Sequence, residues 1–352
     1  MSEPTLTPLE RLQDQAQTWM ERQSARISRK LPPPPFLGPL TRVEQEIARD
    51  VLAKNAGDVR EAGREFLASL AAARDGRGEP QTAAMETVAE RLISEVRARM
   101  ECMPWDRPLL GLVARLDQRM PTSVGEFMDD ARLAKSTRRR LVEALDRMTR
   151  RAGDYLVIVD LLAPMLAAAE SAPTTVFDIG SGPGGFPIAL ARAANNVRVV
   201  ASDVDTDYLA LGRARAKKLG LRDVVEFRRV DAFRLANELG DSRPDVISCT
   251  RTLHHFGARG TTRLLALALH TAKRGVFFID IGRSISRMLM AAGAGIGSGN
   301  RRFAHDAVVS VRKSFSLVEL FLIAACVPGG EQLEIFYAAP AYIVARGPVV
   351  AP

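Results

Sequence analysis

The chain has 352 residues, 47% hydrophobic and 26% charged. That is an ordinary globular mix for one large or two average domains, and it excludes wholesale disorder, collagen-like sequence and a coiled-coil rod. The net charge is +8, but the excess is only +2 over residues 1–155 and +6 over 156–352, with no long basic run, so the charge does not mark a nucleic-acid-binding appendage.

Before residue 173 almost everything reads as helix. Residues 6–30 are helix-permissive, and the run Pro32-Pro33-Pro34-Pro35 stops them, since proline lacks the backbone donor and favours an extended spacer. Helical periodicity returns over 41–73, with a break expected at Asn55-Ala56-Gly57-Asp58, and again over 82–100 and 109–120. From 137 to 169 the spacing of Leu141, Leu145, Met148, Tyr155, Val159 and Leu162 predicts one long helix, or two joined near Gly153. After Pro173 the pattern alternates. Strands are expected at 175–179, 197–201, 224–228, 245–249 and 275–280, with helices at 185–194, 207–219 and 261–273 between them. Strands separated by helices of 10–15 residues imply a parallel, buried sheet. A late helix at 316–327 and a closing hairpin over 331–345 complete the chain.

No stretch approaches the roughly 20 apolar residues of a membrane span. Residues 317–327, the longest candidate, contain Glu319. The N-terminus MSEPTLTPLER has no basic segment leading into an apolar core. Cys102, Cys249 and Cys326 are too widely spaced for a disulfide framework, and no His/Cys/carboxylate cluster has metal-ligand spacing. A reduced cytoplasmic protein without a membrane partner or metal is the expectation.

The chemistry concentrates in Val176-Phe-Asp-Ile-Gly-Ser-Gly-Pro-Gly-Gly-Phe186, a strand feeding a glycine-rich turn that opens a helix. Gly180, Gly182 and Gly184 let the backbone turn tightly and let a ligand lie against it. Asp178 precedes them, where a carboxylate opposes a phosphate and suits a cation or ammonium group. The next strand ends in Asp203, the place where ribose hydroxyls are gripped. The third leads into Asp231-Ala232, an acid and a small residue fit for an adenine ring. All three acids follow consecutive strands, on the side of an open α/β sheet where ligands bind.

This constellation resembles the class I S-adenosylmethionine-dependent methyltransferases, through DIGSGPGG at 178–185, SDVD at 202–205, VDAF at 230–233 and DVISCTRTLHHF at 245–256. The resemblance covers about half the chain. It implies a Rossmann-like α/β fold with a seven-stranded sheet, preceded by an all-α N-terminal region. It also implies S-adenosyl-L-methionine as cofactor, with the methionyl end held by Asp178, Gly180, Ser181, Gly182 and Gly184 and by Thr250 after the fourth strand. Asp203 and Val204 would take the ribose, and Asp231 and Ala232 the adenine. A closer similarity, to bacterial methyltransferases of phenolic or polyketide-like metabolites, runs through residues 125–130, 280–284 and 305–312 and makes Arg283, His305 and Asp306 substrate-binding candidates. The expected organisation is a helical extension at 1–120 with a proline-rich linker at 31–39, a helical segment at 121–172 covering the catalytic domain, and the cofactor domain at 173–352.

A hydroxyl acceptor benefits from a base, and His254 and His255 stand just past the fourth strand. Either one of them is the base, or one packs beside the cofactor and the other caps the next helix. Asp280 orients a base, binds substrate or caps a helix. The glycine-rich stretch 293–299 is either a lid or a surface loop, and His270 reads as structural. The fourth-strand sequence Cys249-Thr250-Arg251-Thr252 lacks the Asn/Asp-Pro-Pro-aromatic pattern of base-amino methyltransferases, and Cys249 reads as a buried strand residue. An O-methyltransferase of a small hydroxylated metabolite, with a homodimer open to it, is therefore the leading reading. An RNA methyltransferase and a non-catalytic binding protein are the alternatives.

Overall fold

The computed structural model describes residues 37–74, 78–130, 132–166, 173–239, 242–297, 299–338 and 342–348. The helix expected over 6–30 and the proline run at 32–35 lie outside these. Four helices come first: α1 (Leu37–Lys54), α2 (Ala56–Arg74), α3 (Ala83–Cys102) and α4 (Pro108–Arg119). The linker expected to reach residue 39 therefore gives way to helix at Leu37, because Leu40 is already buried in the core. The break expected at 55–58 falls at Asn55, whose side chain bonds back to the Val51 carbonyl. Helices α5 (Lys135–Arg151) and α6 (Asp154–Leu166) are joined at Gly153, with φ +78°.

The sheet then builds by alternation: β1 (Thr174–Ile179), α7 (Gly185–Ala193), β2 (Val197–Asp203), α8 (Thr206–Lys218), β3 (Val225–Arg229), a short α9 (Leu235–Leu239), β4 (Val246–Thr250), α10 (Gly257–Thr271) and β5 (Gly275–Ile281). A helical hairpin, α11 (Ile285–Gly297) and α12 (Arg301–Lys313), precedes α13 (Leu317–Ala325), β6 (Glu334–Ala338) and β7 (Tyr342–Pro348). The seven strands lie in the order β3-β2-β1-β4-β5-β7-β6; the first five are parallel and β7 runs antiparallel to both of its neighbours. The order reverses between β1 and β4, so their C-terminal ends open a crevice for ligands.

Both sheet faces are buried, which is why the strands read as nearly continuous apolar runs. Phe177, Ile247, Cys249 and Phe278 face α10 and α13, and α1, α2 and α3 pack over those helices as a further layer. Val176, Val199, Val246 and Phe277 face α6 and α7. The stretch 293–299 is not the lid loop or surface loop of the sequence reading. Alanine and glycine let residues up to Gly297 continue α11, and a Cβ at Gly295 would stand 2.5 Å from Ala304 Cα, so this glycine permits the close crossing of α11 and α12.

Candidate active site

The C-terminal ends of β1, β2, β3 and β4 open into a cavity of about 790 Å³. Its floor is the turn after β1. Gly180 and Gly182 have φ of +65° and +52°, a conformation that L side chains rarely adopt, and Gly182 would carry a Cβ into open space. The turn is tied from both sides: Gly182 N–H donates to Asp203 at 2.8 Å, and Thr252 Oγ1 donates to Gly180 O at 3.1 Å. Asp203 also accepts from Asp205 N–H at 2.9 Å. Burial pushes its pKa up, against the pull of these backbone donors.

Gly180, Ser181, Gly182, Asp203, Val204, Asp231, Ala232 and Thr250 all line this one cavity. One cavity thus gathers the glycine turn, the acid at the end of β2 and the acid–alanine pair after β3, the groups expected for the methionyl, ribose and adenine parts of S-adenosylmethionine. Two expected contacts lie elsewhere. Asp178 is fully buried beneath the turn, where it accepts from Ser181 Oγ at 2.7 Å and Ser248 Oγ at 2.8 Å. Burial raises its pKa to about 7, although those hydroxyls and Thr250 pull the other way. It braces the turn from below rather than meeting a ligand. Gly184 precedes α7 and is pressed against Phe227, behind the cavity wall.

The two adjacent histidines line the same cavity in different settings. His254 is buried, and Asp280 Oδ2 takes both its backbone N–H at 2.9 Å and its Nδ1 at 2.8 Å. Burial pushes the Asp280 carboxyl up, but His254 and the backbone donors outweigh this and hold it below its ordinary range. An ionised carboxylate only accepts, so Nδ1 carries a hydrogen and the ring is held in one orientation. That Nε2 stands 3.8 Å from Glu126 Oε1. His255 instead bonds Asp129 through Nδ1 at 2.9 Å. Burial lowers its pKa, but the Asp129 bond and the nearby Glu126 charge more than compensate, leaving it above the ordinary value. His254 is thus the imidazole oriented by Asp280, and His255 the one whose pKa its acidic neighbours raise.

The cavity is also lined by residues that are not among the sequence-predicted site candidates, Glu126, Met128, Asp129, Arg138, Leu145, Asp146, Tyr155 and Arg251 among them. The segment around Glu126 forms a strap, with a short 3₁₀ turn at Phe127–Asp129. Asp306 accepts the N–H groups of Phe127 at 2.7 Å and Met128 at 3.1 Å, Tyr208 Oη donates to Met128 O at 3.3 Å, and Ser310 Oγ donates to Glu126 at 3.0 Å. Asp306 thereby anchors the strap instead of binding substrate. His305, bonded to Asp306 and stacked near Phe127, does not line the cavity either. Arg251 is a non-glycine residue at φ +58°, held by its N–H on Ile279 O at 2.7 Å and its guanidinium on Thr149 Oγ1. Such backbone strain gathers at functional positions.

Arg283 also departs from its expected role. It is buried outside the cavity and holds Glu319 with two bonds of 2.7 Å, while Arg97 Nε reaches the same carboxylate at 2.7 Å. Glu126, His254 and His255 bring one carboxylate and two imidazoles within 4.8 Å, a set of metal-ligand type that no sequence spacing announced. Lys313 Nζ lies 3.4 Å from Glu126 Oε1, so the protein's own ammonium already faces that carboxylate. Cys249 is buried in β4 and does not line the cavity; burial drives its thiol pKa well up.

Residues 176–275 match a family model described as a methyltransferase domain. Over these residues the chain carries a methyltransferase domain. The chain is 29% identical over 147 residues to an uncharacterized protein of Synechococcus sp., a match covering 40% of this chain and 34% of that protein. The chain thus spans about a third of the length of the curated relative it matches. The plantazolicin methyltransferase BpumL, solved with a monoazolic desmethylPZN analog and SAH, superposes with a TM-score of 0.50 at 13% identity, over 75% of this chain and 99% of that one. The magnesium protoporphyrin IX methyltransferase of Synechocystis PCC 6803, solved with SAH, gives 0.42 at 15% identity, over 63% and 91%. At these identities the likeness is one of fold: the methyltransferase domain has the class I sheet.

Proposed function

We propose that this protein is an S-adenosylmethionine-dependent methyltransferase that methylates a hydroxyl group of a small, largely apolar metabolite of phenolic or polyketide-like type. The observation that carries this reading is the Asp280-bonded His254, which lines the same cavity as the glycine turn and Asp203. The cofactor, when bound, supplies an already activated methyl group, so the protein has to position the acceptor and remove its proton. Gly180, Ser181, Gly182 and Thr250 hold the methionyl end, Asp203 and Val204 the ribose, and Asp231 with Ala232 the adenine. Asp280 fixes the His254 ring, and His254 Nε2 accepts the hydroxyl proton. His255, bonded to Asp129, secures the strap beside the acceptor. Met128, Leu145, Phe256, Ala291, Phe303 and Val311 supply apolar wall for the acceptor.

The RNA alternative draws little from the helical extension, because no described residue before Glu126 lines the cavity. The densest basic run is also engaged within the protein: Arg138 faces Asp205 at 3.7 Å and Arg139 bonds Glu143 at 2.9 Å. The test is transfer of labelled methyl groups from S-adenosylmethionine to a panel of phenols and hydroxypyrones by purified protein. Label is expected on oxygen, located by mass spectrometry. Label found on RNA, or on nitrogen or carbon alone, would overturn the acceptor assignment, and absence of cofactor binding by calorimetry would overturn the activity.

A further inference from the structure

The outer face of the α11–α12 hairpin, with α4 beside it, is apolar where it meets solvent. On α4, Leu109, Leu112 and Leu116 recur at helical spacing and are 74%, 51% and 48% exposed. On α11, Leu289, Met290 and Ile296 are 63%, 63% and 78% exposed. Single exposed apolar side chains need no explanation. Six large ones on two helices that pack together mark an interaction surface.

The exposed charge on these helices is basic, with Asp106 exposed beside Arg107 just before α4. The carboxylates carried by α4, α11 and α12 are Asp117 and Asp306, and both are buried: Asp117 lies 3.8 Å from Arg283, and Asp306 holds the strap. Arg115, Arg301 and Arg302 are exposed on the same helices, while Arg119 pairs with Glu101 at the edge. We propose that this face docks on an anionic lipid surface. Amphipathic helices with an apolar face and a basic rim lie in the headgroup plane, where buried apolar area and attraction to anionic lipid add. A second copy of the chain fits less well, because a twofold contact would set these arginines against their own counterparts. The inner side of the same hairpin, through Ala291, Ala294, Phe303 and Ala307, lines the cavity, so the docked face is the outer wall of the site.

The test is co-sedimentation of the full chain with phosphatidylcholine vesicles and with vesicles containing one-third phosphatidylglycerol, at low and high salt. Binding is expected to the anionic vesicles, at least tenfold weaker to the neutral ones, and reduced by salt. The combined variant Leu289→Ser, Met290→Ser, Ile296→Ser is expected to lose at least tenfold in binding while keeping its melting temperature, since all three side chains face solvent. Arg301→Ser with Arg302→Ser is expected to remove part of the salt-sensitive component. Equal binding to both vesicle types, or undiminished binding by the apolar variant, would overturn the proposal. So would a wild-type dimer in sedimentation velocity that ignores vesicles and dissociates in the apolar variant, which would assign the face to a second copy.

Discussion

At Asp203 one carboxylate does two things: it closes the glycine turn through Gly182 N–H and stands at the cavity for a ligand. Charge-assisted bonds of this kind contribute roughly 1.5–3 kcal/mol each. Asp203→Ala is therefore expected to weaken S-adenosylmethionine binding by at least about tenfold, since 1.4 kcal/mol is tenfold in an equilibrium constant. Calorimetry that returned the wild-type affinity would remove the ribose assignment. The histidines separate by their partners. A base held by a carboxylate contributes typically ~10²–10⁴-fold to a rate. His254→Ala is expected to lower kcat into that range with cofactor affinity retained, and His255→Ala to lower it far less. The reverse order of losses would transfer the base to His255. Sequence placed both histidines at the ligand edge but not this difference, because Asp280 and Asp129 reach them from positions 26 and 126 residues away.

The strap from Glu126 to Asp129 is an element that lines the site from outside the alternating sheet. It is held largely by side chains, above all by Asp306 on the N–H groups of Phe127 and Met128. Leaving a buried donor unpartnered costs about 1–3 kcal/mol. Asp306→Ala is thus expected to lower the melting temperature and to open the 126–130 segment to limited proteolysis. A cleavage pattern and melting temperature equal to wild type would show that Tyr208, Ser310 and Lys313 hold the strap by themselves. The α11–α12 hairpin shows the same dependence on contact. Its glycines read as a loop in isolation, yet they serve close helix packing at Gly295.

On the scale of the whole molecule, the helical extension is bound to the methyltransferase domain through a buried charge network. Arg97 of α3 and Arg283 share Glu319, Asp117 of α4 faces Arg283, and Ser316 Oγ donates to Glu44 of α1 at 2.8 Å. Burial, followed by repulsion from Asp117 and Glu319, raises the Glu44 pKa to about 8. A raised carboxyl pKa favours the folded state fully below the unfolded value near pH 4.5, and that contribution is lost as pH rises towards 8. Glu44→Gln keeps a neutral partner for Ser316. It is expected to be progressively more stable than wild type from pH 5 to 8, by up to about 1.4 kcal/mol per pH unit, in urea unfolding. Parallel stability curves for the two proteins would show that Glu44 ionises normally. Breaking this network by removing Glu319 belongs with the losses of about 3–5 kcal/mol seen when a buried pair is severed.

The sequence by itself determined the alternating sheet, the glycine turn and the three acids that follow β1, β2 and β3. Each depends on local rules: β-branched runs between turn residues, positive φ at glycine, and acids at strand ends. It also located the break at Asn55 and the joint at Gly153. Only the tertiary structure decided what those groups touch. It moved Asp178 beneath the turn, withdrew Arg283 into an ion network and Asp306 into the strap, and brought Glu126, Asp129 and Arg251 to the cavity. The physical reason is separation along the chain. A carboxylate's role follows from the donors and charges that close on it, and here those come from segments tens to hundreds of residues apart, whose meeting no local pattern encodes.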